Sequence, residues 1–290
     1  MFKKVFVAFS ISLLFISINS YASTENACGR DCLKGFVTRY IEALLTQKPD
    51  ILPVSPDVKF TEDCKEIKLG EGLWKSKITL TDYRRDILDV KKGTAVSFLV
   101  IKEKETPVLF VVRLKIDGKK IKEIESTVVR GKEEGMLFNP DNLKTVSKTM
   151  TYIPPQAQMS SREEAIKIAS TYPEGLKVGS FEKVDSPMAP NAYRFENGNL
   201  MAGAGCTFFP GCDHMKSQRI PTLSGIKYKV MAYDEELGVV AIRMNFGPGS
   251  LFEGNGELDV WHSFKIYNNQ IQAAEAYCEK VPAGTEFGWE

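Results

Sequence analysis

The sequence predicts an α+β fold made of two similar units in tandem. Two stretches that start 150 residues apart share one pattern: LKIDGKKIKEIE at residues 114–125 and FKIYNNQIQAAE at residues 264–275. Each has an apolar residue, Lys and Ile, then turn-like residues, a second Ile and a closing Glu. In each half a helical pattern comes before a run of strand patterns, and that order is typical of α+β domains.

The N-terminal residues predict a secretory signal. Two lysines precede the apolar run at residues 5–18, which is too short to span a bilayer, and the small residues Ser20 and Ala22 mark a cleavage point after Ala22. No later apolar run is long enough to cross a membrane. We therefore expect a signal peptide at residues 1–22 and a mature protein that is periplasmic or secreted.

The composition indicates a globular protein with two domains. The formal net charge is +1, or −1 without the two signal lysines, and without a basic stripe this argues against nucleic-acid binding. Hydrophobic residues make up 43% of the chain, enough for real cores. We assign residues 28–145 to the first domain, 146–160 to a linker and 161–287 to the second domain.

Three of the six cysteines lie in the first half of the chain. Cys28 and Cys32 are four residues apart at the start of a predicted helix, where the geometry is poor for a mutual bond. One of them is therefore predicted to pair with Cys64, because disulfides persist in exported proteins.

The other three cysteines lie in the second half. Cys206 and Cys212 can close a short loop and leave Cys278 over, although the sequence alone does not fix the pairing. A zinc site at Cys206, Cys212 and His214 is the weaker interpretation, since these residues lack a regular two-residue ligand spacing. We expect no metal.

The first unit is predicted to begin with an amphipathic helix at residues 31–46. Residues 58–70, VKFTEDCKEIKLG, alternate around turn residues and predict a short strand pair. Residues 80–90, LTDYRRDILDV, predict a second short helix. An antiparallel meander of three strands follows, at residues 94–103, 107–117 and 120–129.

The second half repeats this order of elements, with larger differences in sequence and in loop length. Residues 162–172 predict a helix, and YRFENG at residues 193–198 is similar to VKFTED in the first unit. A hairpin is predicted to turn at residues 234–238, and ELDVWHSFKIYNNQIQAAEAYC closes the sheet. About fifteen extra residues are expected in the Gly- and Pro-rich loops around residues 206–212 and 247–256.

These stretches resemble the nuclear transport factor 2-like superfamily, which includes ketosteroid isomerases and SnoaL-like polyketide cyclases. The likeness rests on the first helix with LPVSPDVKFTEDCKEIKLGEGLW and RLKIDGKKIKEIES, and on FKIYNNQI and VPAGTEFGW in the second half. More closely, the chain resembles an uncharacterised group of exported proteins from fungi and bacteria with two such units.

The resemblance implies two cone-shaped domains, each with a curved antiparallel sheet wrapped around N-terminal helices and a pocket at the wide end. Such domains commonly dimerise through their sheets. Two units in one chain would form an intramolecular pseudo-dimer, so we expect a monomer. The fold hosts isomerases, dehydratases, cyclases and inert binding modules, so function has to come from the site.

His262 is the leading catalytic candidate. Strand alternation puts it on an apolar face, where the repeat has Val112 in the first unit. Histidine titrates nearest neutrality and can act as a base. Tyr277 and Arg243 are further catalytic candidates, because a donor can stabilise an enolate or a carbonyl oxygen. The simpler interpretation of His262 is a hydrogen-bonded core residue.

Five other polar or aromatic residues are candidate ligand contacts. His214 lies in CDHMKSQR, a loop expected near the pocket mouth, and Tyr228 and Asn245 lie on strands of the second sheet. In the first unit, Trp74 and Arg84 lie in LWKSKITLTDYRR, which can hold a carboxylate or a sugar acid. The simpler interpretation makes His214 and the arginine solvated and Trp74 part of the packing.

The sequence therefore predicts an exported protein that binds a small organic molecule, with the second unit as the functional one. If the protein is an enzyme, we expect a cofactor-independent isomerase or a dehydratase or other lyase that removes a proton beside a carbonyl, with His262 as the base. The alternative is a non-catalytic binding or protein-interaction module whose pockets are filled by side chains. We expect no cofactor and no nucleic-acid partner.

Overall fold

The computed structural model describes residues 28–248 and 256–289. The predicted signal at residues 1–22 lies outside these ranges. Within them, no helix combines the length and the hydropathy that crossing a membrane requires. The fold class is confirmed: the chain forms two α+β units in tandem, each with a leading helix and a curved six-stranded sheet.

The first unit begins with helix α1 (Arg30–Leu45), which agrees with the prediction. The apolar stripe of α1 packs on one face of the first sheet. The strand order is β2-β1-β6-β5-β4-β3, antiparallel throughout except that β1 and β6 run parallel. The strands are β1 (Val54–Glu62), β2 (Lys65–Glu66), β3 (Ile78–Asp89), β4 (Thr94–Glu103), β5 (Thr106–Asp117) and β6 (Lys120–Val129).

Strand β3 contradicts the helix that the sequence predicts at residues 80–90. These residues pair with β4, with a register shift between Leu80 and Arg84. After that shift, burial alternates along the strand. The side chains of Tyr83, Arg85 and Ile87 are buried, and those of Arg84 and Asp86 between them are less buried. The period is therefore that of a strand, and the charged side chains Arg84 and Asp86 pair with each other on one face of it.

The second unit follows a short helix, α2 (Lys148–Thr151), in the predicted linker. Helix α3 (Arg162–Val178) then begins at Ser161, whose hydroxyl accepts a hydrogen bond from the Glu164 amide at 3.2 Å. The strand order is β8-β7-β12-β11-β10-β9, the same plan as in the first sheet. The strands are β7 (Met188–Glu196), β8 (Asn199–Ala202), β9 (Lys227–Asp234), β10 (Val239–Asn245), β11 (Gly256–Tyr267) and β12 (Gln270–Pro282).

The two repeated stretches pair their strands in the same way: equivalent residues have equivalent partners in the two sheets. Leu114 pairs with Ile124 across β5 and β6, and Phe264 pairs with Ala274 across β11 and β12. Each sheet also has one face on its own helix and the other face on the opposite sheet. A shared apolar core fills the space between the sheets, with residues that include Tyr83, Phe98, Val111, Met231, Trp261 and Tyr277.

The disulfides differ from the prediction in the first half and agree with it in the second. Cys28 and Cys32 bond to each other with their Cα atoms 5.2 Å apart, and Cys64 is a free cysteine. The predicted pairing of Cys64 is wrong because Cys28 lies before α1 begins at Arg30, so its backbone is free to turn back toward Cys32. The Cys206–Cys212 bond is confirmed.

Candidate functional site

The second unit contains a pocket of about 280 Å³ on the helix side of its sheet. Helix α3, strands β7, β11 and β12 and the loop around residues 209–223 form its wall, and apolar side chains make up most of the lining. These are Met136, Leu137, Leu176, Met201, Phe209, Ile220, Pro221, Leu223, Phe246 and Leu258. The polar side chains in the lining are therefore few and stand out.

Arg194 is the main polar group at the floor of the pocket. Its guanidinium donates from Nη1 to the Tyr172 hydroxyl at 3.1 Å, and its Nε lies 3.3 Å from Oε1 of Glu196. The residue is 6% exposed, and its Nε has no hydrogen-bond partner among the described residues. The pocket therefore contains a buried cation beside one carboxylate and one hydroxyl.

The surroundings fix the charge of these floor groups. Burial alone lowers the pKa of Arg194, but Tyr172 and Glu196 raise it, and the net change is upward. Burial raises the pKa of Tyr172, so its hydroxyl keeps its proton. At neutral pH the floor thus presents a guanidinium and a phenol, both of which can donate hydrogen bonds.

The first unit has Phe60 at the position that corresponds to Arg194. Phe60 pairs with Ile124 on β6, and Arg194 pairs with Ala274, the repeat of Ile124, on β12. Phe60 is buried in the apolar core on the α1 side of the first sheet. The inner wall of the first unit is therefore filled by side chains, which also include Phe110, Val112, Leu114 and Ile116 of β5.

Met136 and Leu137, which lie in the segment after β6, form the roof of the pocket. Asn197 connects this segment to β12 through hydrogen bonds. Its Nδ2 donates to the Met136 carbonyl at 2.8 Å and to the Cys278 carbonyl at 2.9 Å. Its Oδ1 accepts from the Cys278 amide at 2.8 Å. Asn199 donates to the Leu137 carbonyl as well. Residues outside the predicted second domain, 161–287, are thus part of its pocket.

His262 lies beneath the pocket floor on the inner face of β11, where the sequence places it. The residue is 0% exposed, and both ring nitrogens lack a hydrogen-bond partner among the described residues. The rings of Tyr172 and Phe264 have their centroids 4.9 Å away from the imidazole. Burial, and then the cations of Arg194 and Arg85, hold its pKa well below the usual range, so the imidazole is neutral.

Arg243 and Tyr277, the other two catalytic candidates, lie on the opposite face of the second sheet. Arg243 donates to Asp259 at 2.9 Å and to Glu125 of the first unit at 2.8 Å. Tyr277 packs between the sheets, with its ring centroid 5.4 Å from that of Phe98. Both residues pair with Trp261, the neighbour of His262 on β11. Because adjacent residues of a strand point to opposite faces, neither Arg243 nor Tyr277 is brought together with His262.

The remaining candidates in the second unit are also separate from the pocket. Asn245 donates to Glu257 at 2.7 Å on the face that carries Arg243. The Tyr228 hydroxyl donates to Glu174 at 3.0 Å, at the end of α3. His214 is an exposed loop residue, 3.7 Å from Asp213.

The two candidates of the first unit do not form a shared site. Trp74 is buried in the core, with its ring centroid 5.3 Å from that of Tyr40. Arg84 binds Asp86 through two nitrogens and donates to the Thr38 hydroxyl at 3.1 Å. The simpler interpretation of Trp74, as a packing residue, fits this placement.

Sequence reasoning missed the polar lining of the pocket, which consists of Arg194, Glu196, Arg219, Tyr172 and Cys278. Matching YRFENG to VKFTED aligns Phe195 with Phe60, whereas the strand register aligns Arg194 with Phe60. A shift of one residue exchanges the two faces of a strand. Aligning the repeat through β6 and β12, which keep the constant offset, would have revealed the inward arginine.

No group of three or more His, Cys, Asp or Glu side chains in residues 28–248 and 256–289 is arranged to hold a metal ion. The arrangement of the pocket can bind an organic molecule directly, through apolar contact and a few hydrogen bonds.

Comparison with protein families finds one match, to a family described as a domain of unknown function (DUF8021), over residues 158–278. This range is most of the second unit, including α3 and the six strands up to Cys278. A search of the curated proteins gives no significant match.

Solved structures similar to the chain include NTF2-like proteins. One is an NTF2-like protein of unknown function from Cytophaga hutchinsonii ATCC 33406, at 11% identity, TM-score 0.28, covering 35% of this chain and 91% of that one. AusH from Aspergillus nidulans has 12% identity and TM-score 0.30, covering 34% and 85%. A putative ketosteroid isomerase from Kribbella flavida DSM 17836 has 12% identity and TM-score 0.28, covering 43% and 91%.

Proposed function

We propose that the protein is an exported small-molecule-binding protein and that its ligand occupies the pocket of the second unit. The observation that carries the proposal is a 280 Å³ pocket with an apolar wall and the Arg194–Glu196 pair at its floor. Ligand pockets are mostly apolar, with a small number of polar groups that fix orientation. The first unit then serves as the packed partner of the second sheet.

The size of the pocket limits the ligand to a small molecule. A volume of 280 Å³ corresponds to roughly nine water molecules at about 30 Å³ each. An apolar body gains from leaving water. At the floor, a carbonyl or hydroxyl oxygen can accept a hydrogen bond from Arg194, and a hydroxyl can also donate one to Glu196. Medium-chain alcohols and ketones match this combination.

A direct test uses decan-1-ol as the probe and isothermal titration calorimetry of the mature chain. We expect saturable binding at one site, and we expect Leu223→Trp, which fills the pocket, to weaken it at least tenfold. Leu80→Trp, at an exposed position of the first unit, is the matched control and should bind like the wild type. Met201→Trp repeats the test if Leu223→Trp does not fold. Absence of binding by the wild type, or equal binding by the filled variants, would refute the proposal.

Export is part of the proposal. The sequence supports it with the predicted signal at residues 1–22, and the two disulfides fit an oxidising compartment. We infer a periplasmic or secreted location.

A second candidate function is proton abstraction beside a carbonyl, which would make the protein an isomerase or a lyase. The observation that favours it is the unpartnered neutral imidazole of His262, one aromatic ring below the pocket. Tyr172 lines the pocket and covers His262, so a base at this position requires the Tyr172 ring to move aside.

Hydrogen–deuterium exchange at the α-carbons of 2-decanone tests this second function. If His262 is the catalytic base, the wild type should accelerate exchange in D2O. With His262→Val the exchange should proceed at the uncatalysed rate, although both proteins bind the ketone. Equal exchange rates would remove His262 as the base and leave the binding function.

A further inference from the structure

The mouth of the pocket carries an unpaired positive charge. Arg219 lines the pocket from an exposed loop position and makes no ion pair or hydrogen bond with another described residue. Lys216, the nearest cation before it in the sequence, is paired, because it binds Asp185 at 2.9 Å. Among the described residues that line the pocket, Arg219 is therefore the cation that is free to bind a ligand.

The floor differs from the mouth in the balance of its charge. Arg194 has Glu196 within ion-pair distance, so a second carboxylate beside it would meet the negative charge of Glu196. Such a carboxylate would also be desolvated at a residue that is 6% exposed. Between floor and mouth the wall is apolar, with Met201, Ile220 and Leu258 among its residues.

Resting on the proposed function, we propose that the natural ligand is an amphipathic monocarboxylic acid. Its hydrocarbon body lies in the apolar part of the pocket, and its carboxylate lies at the mouth, where Arg219 binds it and water still solvates it. The orphaned Nε of Arg194 gives the floor one hydrogen-bond donor, which suits an oxygen on the far end of the ligand. Arginine is well matched to carboxylates because its planar fork can donate two parallel hydrogen bonds.

The experiment compares decanoate with decan-1-ol, which have ten carbon atoms each and different head groups. Calorimetry of the mature protein at pH 7.4 and low salt should show decanoate binding about 5- to 10-fold more tightly, as expected for a charge-assisted hydrogen bond in contact with water. Octanoate should bind more weakly than decanoate by about fourfold for each methylene removed. Arg219→Gln should abolish the preference for the acid, so that decanoate and decan-1-ol bind this variant with similar affinities.

Lys216→Gln is the control for general surface charge, because Lys216 is a nearby cation that does not line the pocket. It should keep the preference for decanoate. If the acid and the alcohol bind equally to the wild type, the proposal that the pocket binds a small molecule is supported, and the proposal that this molecule is a carboxylic acid is refuted. A preference that survives Arg219→Gln, or that Lys216→Gln also removes, refutes the assigned role of Arg219. If neither probe binds, the proposed function itself fails.

Discussion

The two units differ more in individual side chains than in the fold of their backbones. His262 stands in the register position of Val112, since Ser126 pairs with Val112 and Ala276, its repeat, pairs with His262. Arg194 and Phe60 differ in the same way. The first unit therefore has ordinary apolar core residues at both positions, and the polar replacements in the second unit are the reason for proposing the ligand site there.

Replacing His262 with valine should stabilise the protein by about 1 kcal/mol at pH 8. The substitution removes two buried ring nitrogens that lack partners, and that gain should exceed the cost of the small cavity left by the shorter side chain. Urea unfolding of the two proteins measures the difference. Destabilisation by more than about 2 kcal/mol would show that the imidazole has a structural partner, such as a buried water.

The same pair of proteins should differ in pH dependence. The pKa of His262 is lowered in the folded state, so between that pKa and about 6.5 the unfolded chain binds a proton that the folded chain does not. The stability associated with neutral His262 is therefore complete above pH 6.5 and is lost as the pH falls. The advantage of His262→Val should grow by up to about 1.4 kcal/mol per pH unit below 6.5. A pH-independent difference would contradict the lowered pKa.

Arg243 is expected to be structural, because it compensates buried carboxylates from both units. It binds Asp259 at 2.9 Å and Glu125 at 2.8 Å, and all three residues are buried. Arg243→Met should cost about 3–5 kcal/mol in urea unfolding, since it leaves buried negative charge unpaired. Arg84→Met breaks the more exposed pair with Asp86 and should cost no more than about 1 kcal/mol. Similar small losses for both variants would argue against the buried network.

At the scale of elements, hydrophobic period predicted most strands but not β3. Strands β4 and β5 carry long apolar runs, and β6 follows β5 after a short turn, so the limits of all three agree closely with the prediction. Strand β3 contains Tyr83, Arg84, Arg85 and Asp86, and both of its arginines donate to hydroxyl groups that are distant in sequence. Arg85 donates to Ser263 of the second unit at 2.6 Å, a contact that a local pattern cannot reveal.

The disulfide arrangement predicts a simple thiol count. Unfolded, unreduced protein should have two reactive thiols, Cys64 and Cys278, because the other four cysteines are bonded in pairs. Titration with a thiol reagent in denaturant measures the number, and peptide mapping locates the bonds. Removing Cys28–Cys32 by a double alanine substitution should cost about 2 kcal/mol, since the closed loop is short. A mapped bond to Cys64 would overturn this arrangement.

At the scale of the whole molecule, the repeated hairpin was sufficient to predict two tandem units. The pocket could not be predicted to the same degree, because its polar lining depends on the one-residue register of β7 and its roof comes from residues 136 and 137, outside the second repeat. The Asn139 amide also donates to the Asn197 carbonyl at 2.8 Å, which ties this segment to β7. We therefore propose a boundary between the units near residue 130, where β6 ends.

The shared core between the sheets predicts how the separated units behave. Cutting the chain after residue 130 exposes an apolar face on the first unit that includes Tyr83, Ile87, Phe98 and Val111. Monomeric proteins rarely expose contiguous apolar areas of this kind, so the fragment 28–130 should dimerise through its sheet or aggregate. Sedimentation velocity and light scattering measure its state.

The complementary fragment, residues 131–289, keeps the roof of the pocket and exposes the other half of the shared core, including Met231, Trp261 and Tyr277. Co-expression of the two fragments should give a one-to-one complex, because each covers the apolar face of the other and Trp261 of one donates to Thr127 of the other at 3.1 Å. A first fragment that stays monomeric with the melting temperature of the full chain would mean that the sheets contribute little to each other's stability. The tandem arrangement would then need a reason other than mutual burial.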